Sequence, residues 1–423
     1  MQYLKFQSIK HKISGIIQLP PSKSESNRAL IIRAISGADF LINNLSDAED
    51  TSILAELLNK INNRKNYNRI EQLDAGAAGT VMRFLAAFLC IKKGTWLLTG
   101  NDRMLHRPIK ALVDALNQIG MGIKYVKRDG FPPIIIEGLR INSSNLEINP
   151  GISSQFTSSL LMIAPYLKEG LKINFIDKIV SRPYVEMTLK MMHYFGIEYK
   201  YDISFISVDH QIYKSKDISI NYDWSAASYM YEIIALSEPG SEIFLKGLKK
   251  EGLQGDEIVS DIFNSFGVST IVEKDGIRIK KDKQNIGEFT FNFSHCPDLA
   301  LTVIVCCAAM KIKGRFYGLK SLAIKESNRL KALQKELQKI GCIINIVEEE
   351  IIEISDLNSP VSLPVIINTY NDHRMAMAFA PMVLKTDNIV IENPDVVKKS
   401  YPKFWENLSK IGFNYTTSSH STI

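Results

Sequence analysis

The feature of this sequence that most restricts its fold is an internal repeat. Six segments have the composition of helices that are apolar around most of their circumference: "SNRALIIRAI", "GTVMRFLAAFLCI", "SSQFTSSLLMIAPYL", "SAASYMYEIIAL", "PDLALTVIVCCAAM" and "DHRMAMAFAPMVL". The last five begin in steps of 75, 71, 73 and 75 residues, at Gly79, Ser154, Ser225, Asp298 and His373. A near-constant period indicates one supersecondary unit that is repeated along the chain.

Each apolar helix is followed by a second, amphipathic one. The six segments are "DTSILAELLNKI", "RPIKALVDALNQIG", "RPYVEMTLKMMHYFG", "DEIVSDIFNSFG", "SNRLKALQKELQKIG" and "YPKFWENLSKIG". Five of them end at a glycine, which we expect in the left-handed conformation just past the helix end: Gly120, Gly196, Gly267, Gly341 and Gly412. Alternating stretches such as "MGIKYV" and "VSTIVE" follow these glycines and predict strands. The repeated unit is therefore predicted to be βαβαββ.

Six units in 423 residues predict an α/β (α+β) protein of two similar domains, each with three units around buried helices and with a ligand cleft between the domains. The division falls near Tyr222, so residues 19–222 form the N-terminal half and the C-terminal half begins at residue 223. The alternative is a generic alternation of helices and strands, which would not produce a constant period.

Composition restricts the class of ligand. An apolar content of 45% and a charged content of 23% are ordinary for a globular protein. The net charge is only +6 and the cations are scattered, whereas nucleic-acid binding needs a basic patch. We therefore expect small anionic ligands, with neither nucleic acid nor membrane as a partner.

The cysteines and the apolar segments predict a cytoplasmic protein. Five cysteines without a CxxC pair favour a reducing compartment. The N-terminal residues carry no apolar signal segment, and the longest strongly apolar stretch, residues 299–310, is too short to span a membrane.

Cationic residues stand at helix starts in both halves of the chain. A helix N-terminus already favours an anion through its free N–H groups and dipole, and a neighbouring Lys or Arg strengthens such a site. Taken singly, each could be a plain helix cap or a surface ion pair. Seven of them together predict a highly anionic substrate: Lys23, Arg28, Arg107, Lys325, Arg329, Arg374 and Lys399.

Two carboxylates are candidates for proton transfer. Asp298 lies at the entrance of the most apolar helix, and Glu326 lies between Lys325 and Arg329. A carboxylate among cations stays ionised and can act as a base. The sequence has no metal-ligand cluster, Walker loop, nucleophile elbow or dinucleotide fingerprint, so we predict neither a metal nor a cofactor.

Ten motifs, in order from about Pro20 to Trp405, resemble those of the enolpyruvyl transferases, in particular the EPSP synthase branch: "PSKSESNRAL", "AGTVMR", "DRMLHRPI", "SSQFTSSLL", "SRPYVEMT", "DWSAASY", "QGD", "KESNRL", "NDHRMAM" and "KSYPKFW". The family fold has two domains of three βαβαββ units joined by two crossovers. The resemblance implies that residues 1–18 join residues 223–423 in the C-terminal domain.

The resemblance implies transfer of the enolpyruvyl group of phosphoenolpyruvate to the 5-hydroxyl of shikimate 3-phosphate, with release of phosphate through a tetrahedral intermediate. This is a step of the shikimate pathway to the aromatic amino acids. The partners are then two small-molecule substrates, no cofactor is implied, and we expect a monomer.

The family motifs also imply residue roles. Those implied for phosphoenolpyruvate are Lys23, Gly79, Arg107, Gln155 and Lys399 on its phosphate, with Arg329 and Arg374 on its carboxylate. Those implied for shikimate 3-phosphate are Ser24 and Arg28 on the carboxylate, Ser153, Ser154, Ser181 and Lys325 on the phosphate, and Tyr184 beside the ring, with Lys23, Gln155, Asp298 and Ser321 in the same group. Asp298 would accept the 5-hydroxyl proton, and Glu326 with Lys23 would handle the proton at the methylene carbon.

Four positions depart from the family pattern. Ala77 replaces an Asn, Phe84 replaces a Pro, Asn328 replaces an Asp, and Ser321 stands where an Asn often contacts substrate. These changes bear on shikimate affinity and on sensitivity to glyphosate, the family's competitive inhibitor against phosphoenolpyruvate.

Two alternatives remain open. The sister enzyme, UDP-N-acetylglucosamine enolpyruvyl transferase, has a reactive Cys in the loop that corresponds to "GNDRMLHRPI", where this chain has none. A non-catalytic anion-binding relative would have no use for Asp298 and Glu326.

Overall fold

The computed structural model describes residues 2–7, 12–138, 144–148, 153–176, 181–282, 286–357 and 363–419. Residue 1 and residues 8–11 of the predicted N-terminal segment lie outside the described residues. The chain is of mixed α/β class and divides into two compact units, residues 22–220 and residues 1–21 with 221–423.

Twelve α-helices lie within the described ranges. They are α1 (Lys23–Ser36), α2 (Glu49–Asn62), α3 (Gly79–Cys90), α4 (Lys110–Gln118), α5 (Ser154–Ile163), α6 (Arg182–Tyr194), α7 (Trp224–Leu236), α8 (Val259–Asn264), α9 (Ala300–Ala309), α10 (Arg329–Lys339), α11 (His373–Phe379) and α12 (Phe404–Lys410).

The strands of the described residues are short. They are β1 (Gln2–Phe6), β2 (Ser14–Ile17), β3 (Ile42–Asn43), β4 (Glu71–Asp74), β5 (Thr95–Thr99), β6 (Gly122–Tyr125), β7 (Ile134–Glu137), β8 (Asn145–Ile148), β9 (Leu171–Phe175), β10 (Lys200–Tyr201), β11 (Phe205–Val208), β12 (Ile218–Ser219), β13 (Glu242–Lys246), β14 (Val268–Glu273), β15 (Gly276–Lys281), β16 (Glu288–Asn292), β17 (Lys313–Tyr317), β18 (Ile343–Val347), β19 (Ile351–Asp356), β20 (Val365–Ile367), β21 (Ile389–Glu392) and β22 (Tyr415–Ser419).

The unit of residues 22–220 contains two four-stranded sheets and one strand pair. The sheets have the orders β4-β5-β7-β6 and β10-β11-β9-β8. The pairs β4–β5 and β8–β9 are parallel, and the other neighbouring strands are antiparallel. The first repeat is shorter, and its strand β3 pairs in parallel with β12, almost at the end of the unit.

The other unit contains three four-stranded sheets, with the orders β16-β17-β19-β18, β14-β15-β13-β2 and β20-β21-β1-β22. Strand β2 pairs in parallel with β13, and β1 pairs with β21 and β22. The two N-terminal strands therefore complete sheets whose other strands come from residues beyond 241.

The six predicted buried helices are all present. Every residue of α3 except Thr80 is buried, and so is every residue of α11, as expected for segments that are apolar on all faces. Helix α1 begins at Lys23, six residues before the apolar run that starts at Ala29, because Ser22 caps it by accepting a hydrogen bond from the Glu25 N–H (3.4 Å). The Ser, Asn and Arg side chains that precede Ala29 therefore belong to the first turns of the helix.

The glycines that follow the amphipathic helices have the predicted conformation. Their φ values are positive at all five positions, between 74° at Gly267 and 98° at Gly412. A residue with a Cβ is disfavoured there, so each glycine ends its helix and turns the chain into the next strand.

Several features of composition are also reflected in the structure. All five cysteines are buried and free. None of the helices in the described ranges is both long enough and apolar enough to cross a membrane.

One carboxyl group lies in the apolar core of the second unit. Glu232 of α7 is fully buried, and its two carboxylate oxygens make no hydrogen bond among the described residues. Burial raises the pKa of Glu232 well above its ordinary value of 4.5. At pH values between about 4.5 and this raised pKa, the folded protein therefore holds the group in its neutral form, whereas the unfolded chain releases the proton.

We expect Glu232→Leu to stabilise the protein, by an amount that grows with pH. Because the folded-state pKa is raised, wild-type stability falls as pH rises from about 4.5 toward that pKa, by about 1.4 kcal/mol per pH unit for one proton. Urea unfolding at pH 5.5 and pH 7.5 should show the larger gain at pH 7.5. An equal gain at both pH values would contradict the assignment of a neutral buried Glu232.

Candidate active site

In the unit that contains α9, three cations surround Asp298. This residue lies on the short turn Pro297–Leu299 that leads into α9. Its carboxylate is 2.9 Å from Arg374 Nη2, 3.4 Å from Arg329 Nη1 and 3.6 Å from Lys325 Nζ. Arg374 also donates from Nη1 to the Asp298 carbonyl (3.1 Å). Four predicted residues from three separate stretches of the sequence are thus brought together.

Arg329, the first residue of α10, is held by carboxylates on several sides. Its Nε and Nη2 donate to the two carboxylate oxygens of Asp372, at 2.8 and 3.2 Å, and Nη2 also donates to Glu326 (2.9 Å). The side chain is only 1% exposed. The guanidinium plane is therefore fixed before any ligand arrives.

Asp372 also fixes the start of α11. Its carboxylate accepts from the backbone N–H of Arg374 (3.0 Å) and from the Ser327 hydroxyl (2.9 Å). One buried carboxylate therefore sets the position of Arg329 and of the backbone that carries Arg374.

The cations keep two carboxylates of this cluster, Asp298 and Asp372, ionised. Burial alone would raise the pKa of Asp298, but Arg374, Lys325 and Arg329 outweigh burial and hold that pKa well below its usual range. Burial would also raise the pKa of Asp372, but the charge of Arg329 outweighs burial, and the pKa of Asp372 is lowered. Three cations face three carboxylates, Asp298, Glu326 and Asp372, so the charges of this cluster are balanced within the protein.

Two further predicted residues lie in the same unit. Lys399 Nζ donates to the carbonyl of Asn371 (3.1 Å), the residue next to Asp372. The Ser321 hydroxyl is sheltered from solvent and makes no hydrogen bond within the described part of the chain.

Asp256 of the "QGD" motif was not among the predicted site residues. It accepts a hydrogen bond from the Ser225 hydroxyl. Burial, and then the negative charge of Asp298, raise the pKa of Asp256 to about 7, so it is partly protonated at neutral pH.

In the unit of residues 22–220, the start of α1 carries Lys23, Ser24 and Arg28. Lys23 Nζ is 2.9 Å from a carboxylate oxygen of Asp50 on α2. With 18% of its side chain exposed, Lys23 is accessible to a ligand. Sequence reasoning missed Asp50 because nothing local marks it as the partner of a residue 27 positions away.

Arg28 is directed into the protein rather than toward solvent. Its guanidinium donates to the Thr188 hydroxyl (2.7 Å), the Ser24 carbonyl (2.9 Å), the Tyr184 carbonyl (3.1 Å) and the Ser158 hydroxyl (3.3 Å). Burial lowers the pKa of Arg28 to about 10, which leaves it charged at neutral pH. Most of its donors are therefore engaged within the unit.

Phe84 and Asn328, two of the family departures, have structural roles. The Phe84 ring lies 5.4 Å from the Arg28 guanidinium carbon, close enough for a cation–π contact. Asn328 caps α10 by accepting from the Lys331 N–H (3.2 Å), a task that Asn and Asp perform about equally well.

The start of α3 lies against Arg107. A Cβ built on Gly79 would be 2.7 to 3.0 Å from the Arg107 guanidinium, so only glycine permits this approach. Arg107 Nη1 also donates to the carbonyl of Ala77, another departure (3.4 Å). The N–H groups of a helix start and a guanidinium together form an anion-binding arrangement.

We expect Gly79→Ala to weaken binding of an anion at this position by displacing Arg107. The Kd for inorganic phosphate, measured by titration calorimetry, should rise about tenfold, equivalent to about 1.4 kcal/mol. Gly287→Ala is a matched control, because a Cβ there meets nothing within 4 Å. Equal Kd values for the two variants would rule out the steric account.

The remaining predicted residues lie at the starts of α5 and α6. Ser153 caps α5 by accepting from the Gln155 N–H (3.3 Å), and Ser154 is buried. The Gln155 side chain donates to Thr80 of α3 (3.2 Å), so these two helix starts are joined. Ser181 precedes α6 in the left-handed conformation, with φ 55°.

Comparisons with known proteins identify the family. The family model of EPSP synthase (3-phosphoshikimate 1-carboxyvinyltransferase) matches residues 8–408. A 3-phosphoshikimate 1-carboxyvinyltransferase of Bacteroides fragilis is 43% identical over 414 residues, which cover 98% of each chain. The enzyme of that name from Shewanella halifaxensis is 33% identical over 433 aligned positions, with 97% of this chain and 100% of that chain covered.

A solved structure gives the same result for the fold. The EPSP synthase of Acinetobacter baumannii superposes with a TM-score of 0.77 at 20% identity and covers 99% of this chain and 100% of its own. At that identity the likeness concerns the fold, which has two similar domains. The match along the chain and the identity to the relatives establish the family: this chain belongs to the EPSP synthases, the 3-phosphoshikimate 1-carboxyvinyltransferases.

Proposed function

We propose that this protein transfers the enolpyruvyl group of phosphoenolpyruvate to the 5-hydroxyl of shikimate 3-phosphate and releases phosphate. The observation that carries the proposal is the clustering of Asp298 with Arg329, Arg374 and Lys325 in a chain of this family. A carboxylate among fixed cations suits a reaction in which an anion is bound while a hydroxyl proton is removed.

For phosphoenolpyruvate, we propose that Arg329 and Arg374 bind the carboxylate. Two guanidinium groups near one carboxylate offer paired N–H donors, which is the strongest arrangement for such a group. The residues proposed for its phosphate are Lys23, Gly79, Arg107, Gln155 and Lys399.

For shikimate 3-phosphate, we propose that the phosphate is bound by Ser153, Ser154, Ser181 and Lys325. The carboxylate would be bound by Ser24 and Arg28, and Tyr184 would lie beside the ring. The same group includes Lys23, Gln155 and Ser321. The sheltered Ser321 hydroxyl supports its place in this group. The internal hydrogen bonds of Arg28 leave the hydroxyl and first-turn N–H groups at the start of α1 as the more accessible donors.

Asp298 is proposed as the base that accepts the 5-hydroxyl proton. Its pKa is held low while Arg374, Lys325 and Arg329 face it. When the carboxylate of phosphoenolpyruvate engages the two arginines, they stabilise the Asp298 carboxylate less, and its basicity rises. Substrate binding thus prepares the base.

Glu326, with Lys23, is proposed to move the proton at the methylene carbon. The hydroxyl oxygen forms a bond to C2 of phosphoenolpyruvate while C3 receives a proton, which gives a tetrahedral phosphorylated intermediate. Loss of a proton from the new methyl group and departure of phosphate then restore the double bond. Fixed cations stabilise the charge that develops on the phosphate.

The proposal is tested by phosphate release from phosphoenolpyruvate, measured with shikimate 3-phosphate and, separately, with UDP-N-acetylglucosamine. We expect release only with the shikimate. Release with the sugar nucleotide would move the chain to the sister activity, and release with neither would leave a non-catalytic anion-binding relative.

We further propose that glyphosate competes with phosphoenolpyruvate, because both would use the Arg329 and Arg374 carboxylate site. Inhibition should be competitive against phosphoenolpyruvate and not against shikimate 3-phosphate.

A monomeric state and a cytoplasmic location are also part of the proposal. Sedimentation equilibrium at micromolar concentration checks the monomeric state.

A further inference from the structure

The one carboxylate of α10, Glu336, contacts the same segment of the chain as Arg329 does. Glu336 is fully buried and accepts from the Tyr370 hydroxyl (2.6 Å), from Lys339 Nζ (2.5 Å) and from the backbone N–H of Asn368 (3.0 Å). Lys339 also donates to the Ile366 carbonyl (2.8 Å). The end of β20 and the residues that follow it are therefore fastened to α10.

Glu336 lies seven residues after Arg329, so the two side chains share one face of α10. Tyr370 lies two residues before Asp372, which is the partner of Arg329. The pairs Glu336–Tyr370 and Arg329–Asp372 therefore both connect α10 to residues 370–372. The first pair contains none of the residues proposed to bind substrate, whereas the second contains one of them, Arg329.

The segment between the two pairs has a disfavoured backbone. Tyr370 and Asn371 are consecutive non-glycine residues with φ of 53° and 54°. Such a conformation persists only where the surroundings enforce it. Glu336 holds one side, while Asn393 Nδ2 donates to the Asn371 side-chain oxygen (2.8 Å) and Lys399 Nζ donates to its carbonyl (3.1 Å).

We propose that Glu336 and Tyr370 are positioning residues for the phosphoenolpyruvate site. Their hydrogen bond fixes the position of residues 368–372 along α10. This segment in turn positions the Asp372 carboxylate, which holds Arg329, and the Asn371 carbonyl, which holds Lys399, a residue proposed to bind the phosphate. Neither residue touches substrate. The inference rests on the proposed function for its kinetic consequence.

The surroundings of the pair permit a clean test. Glu336 and Tyr370 line a pocket of about 480 Å³ together with Lys335, Gln338, Lys339 and Asn368. Because the pocket is open to solvent, a water molecule can take the place of a deleted hydroxyl. Tyr370→Phe should therefore fold.

The experiment compares Tyr370→Phe with Tyr231→Phe, which loses a similar hydroxyl contact, to Thr270 (3.0 Å), in the same unit. For Tyr370→Phe we expect the KM for phosphoenolpyruvate to rise threefold to tenfold, with the KM for shikimate 3-phosphate unchanged. For Tyr231→Phe we expect both KM values to match the wild type. An unchanged KM for phosphoenolpyruvate in Tyr370→Phe, or equal rises in both KM values, would overturn the proposal.

A second measurement separates this inference from the proposed function, since it needs no substrate. Backbone amide exchange should become at least tenfold faster across residues 366–374 in Tyr370→Phe and stay at the wild-type rate there in Tyr231→Phe. Unchanged exchange would overturn the positioning role even in an active enzyme. Failure of the wild type to release phosphate would refute the proposed function alone.

Discussion

Asp298→Asn should reduce turnover by a factor on the order of 10² to 10⁴ while both substrates still bind, since a positioned general base contributes about this much. The amide cannot accept the 5-hydroxyl proton. Its loss of charge also frees Arg374 and Lys325, which lie 2.9 and 3.6 Å from the carboxylate, so binding of an anion should not weaken. Phosphate release measures turnover, and titration calorimetry measures binding of each ligand.

Asp395→Asn provides the control for Asp298→Asn. Asp395 also forms an ion pair, with Lys398 at 3.1 Å, but its side chain is 56% exposed. Turnover of this variant should equal that of the wild type. Undiminished turnover in Asp298→Asn would remove Asp298 from the catalytic role.

Arg329→Leu should destabilise the protein by about 3–5 kcal/mol, the usual effect of removing one partner of a buried ion pair. Arg329 is 1% exposed and contacts Asp298, Glu326 and Asp372, so its loss leaves carboxylates in a site with little access to water. Urea unfolding, followed by circular dichroism, measures the change.

Arg315→Leu is the matched variant. Arg315 lies 2.8 Å from Glu353, but its side chain is 51% exposed, and a pair of that kind contributes about 1 kcal/mol or less. The two variants should therefore differ by at least 2 kcal/mol. Similar losses would mean that the Arg329 cluster contributes no more to stability than a surface pair does.

The local elements of the fold were predictable because their signals are local. A helix that is buried all round must be apolar all round, as in α3 and α9, and a glycine that ends a helix is favoured by its lack of a Cβ, as at Gly120. The regular spacing of these signals indicated the repeat, and the family fold agrees with it.

The pairing of distant strands was not predictable from those signals. Strand β12 has two residues and pairs with β3, 176 positions earlier, while β2 pairs with β13 more than 220 positions later. Such short strands carry no sequence pattern that identifies a partner. Their pairing follows from the packing of whole repeats.

For the site, the charged residues were predictable and their partners were not. Asp298, Lys325, Glu326, Arg329 and Arg374 could be found from their positions at helix starts, and the structure brings them together. The central role of Asp372 was missed because an Asp before a helix is ordinarily a simple cap. Glu232, whose carboxylate has no hydrogen-bond partner among the described residues, was missed for a different reason, since a single Glu in an apolar helix usually faces water.

Enolpyruvyl transfer requires that a carbon–oxygen bond of phosphoenolpyruvate is broken and that a new one is formed to the acceptor. The most direct test uses phosphoenolpyruvate labelled with ¹⁸O at the bridging oxygen, with shikimate 3-phosphate as acceptor and mass spectrometry of both products. We expect the label to leave entirely with phosphate and the bridging oxygen of the enolpyruvyl ether to come from shikimate 3-phosphate. Label retained in pyruvate, with no ether formed, would show cleavage of the phosphorus–oxygen bond and would contradict enolpyruvyl transfer.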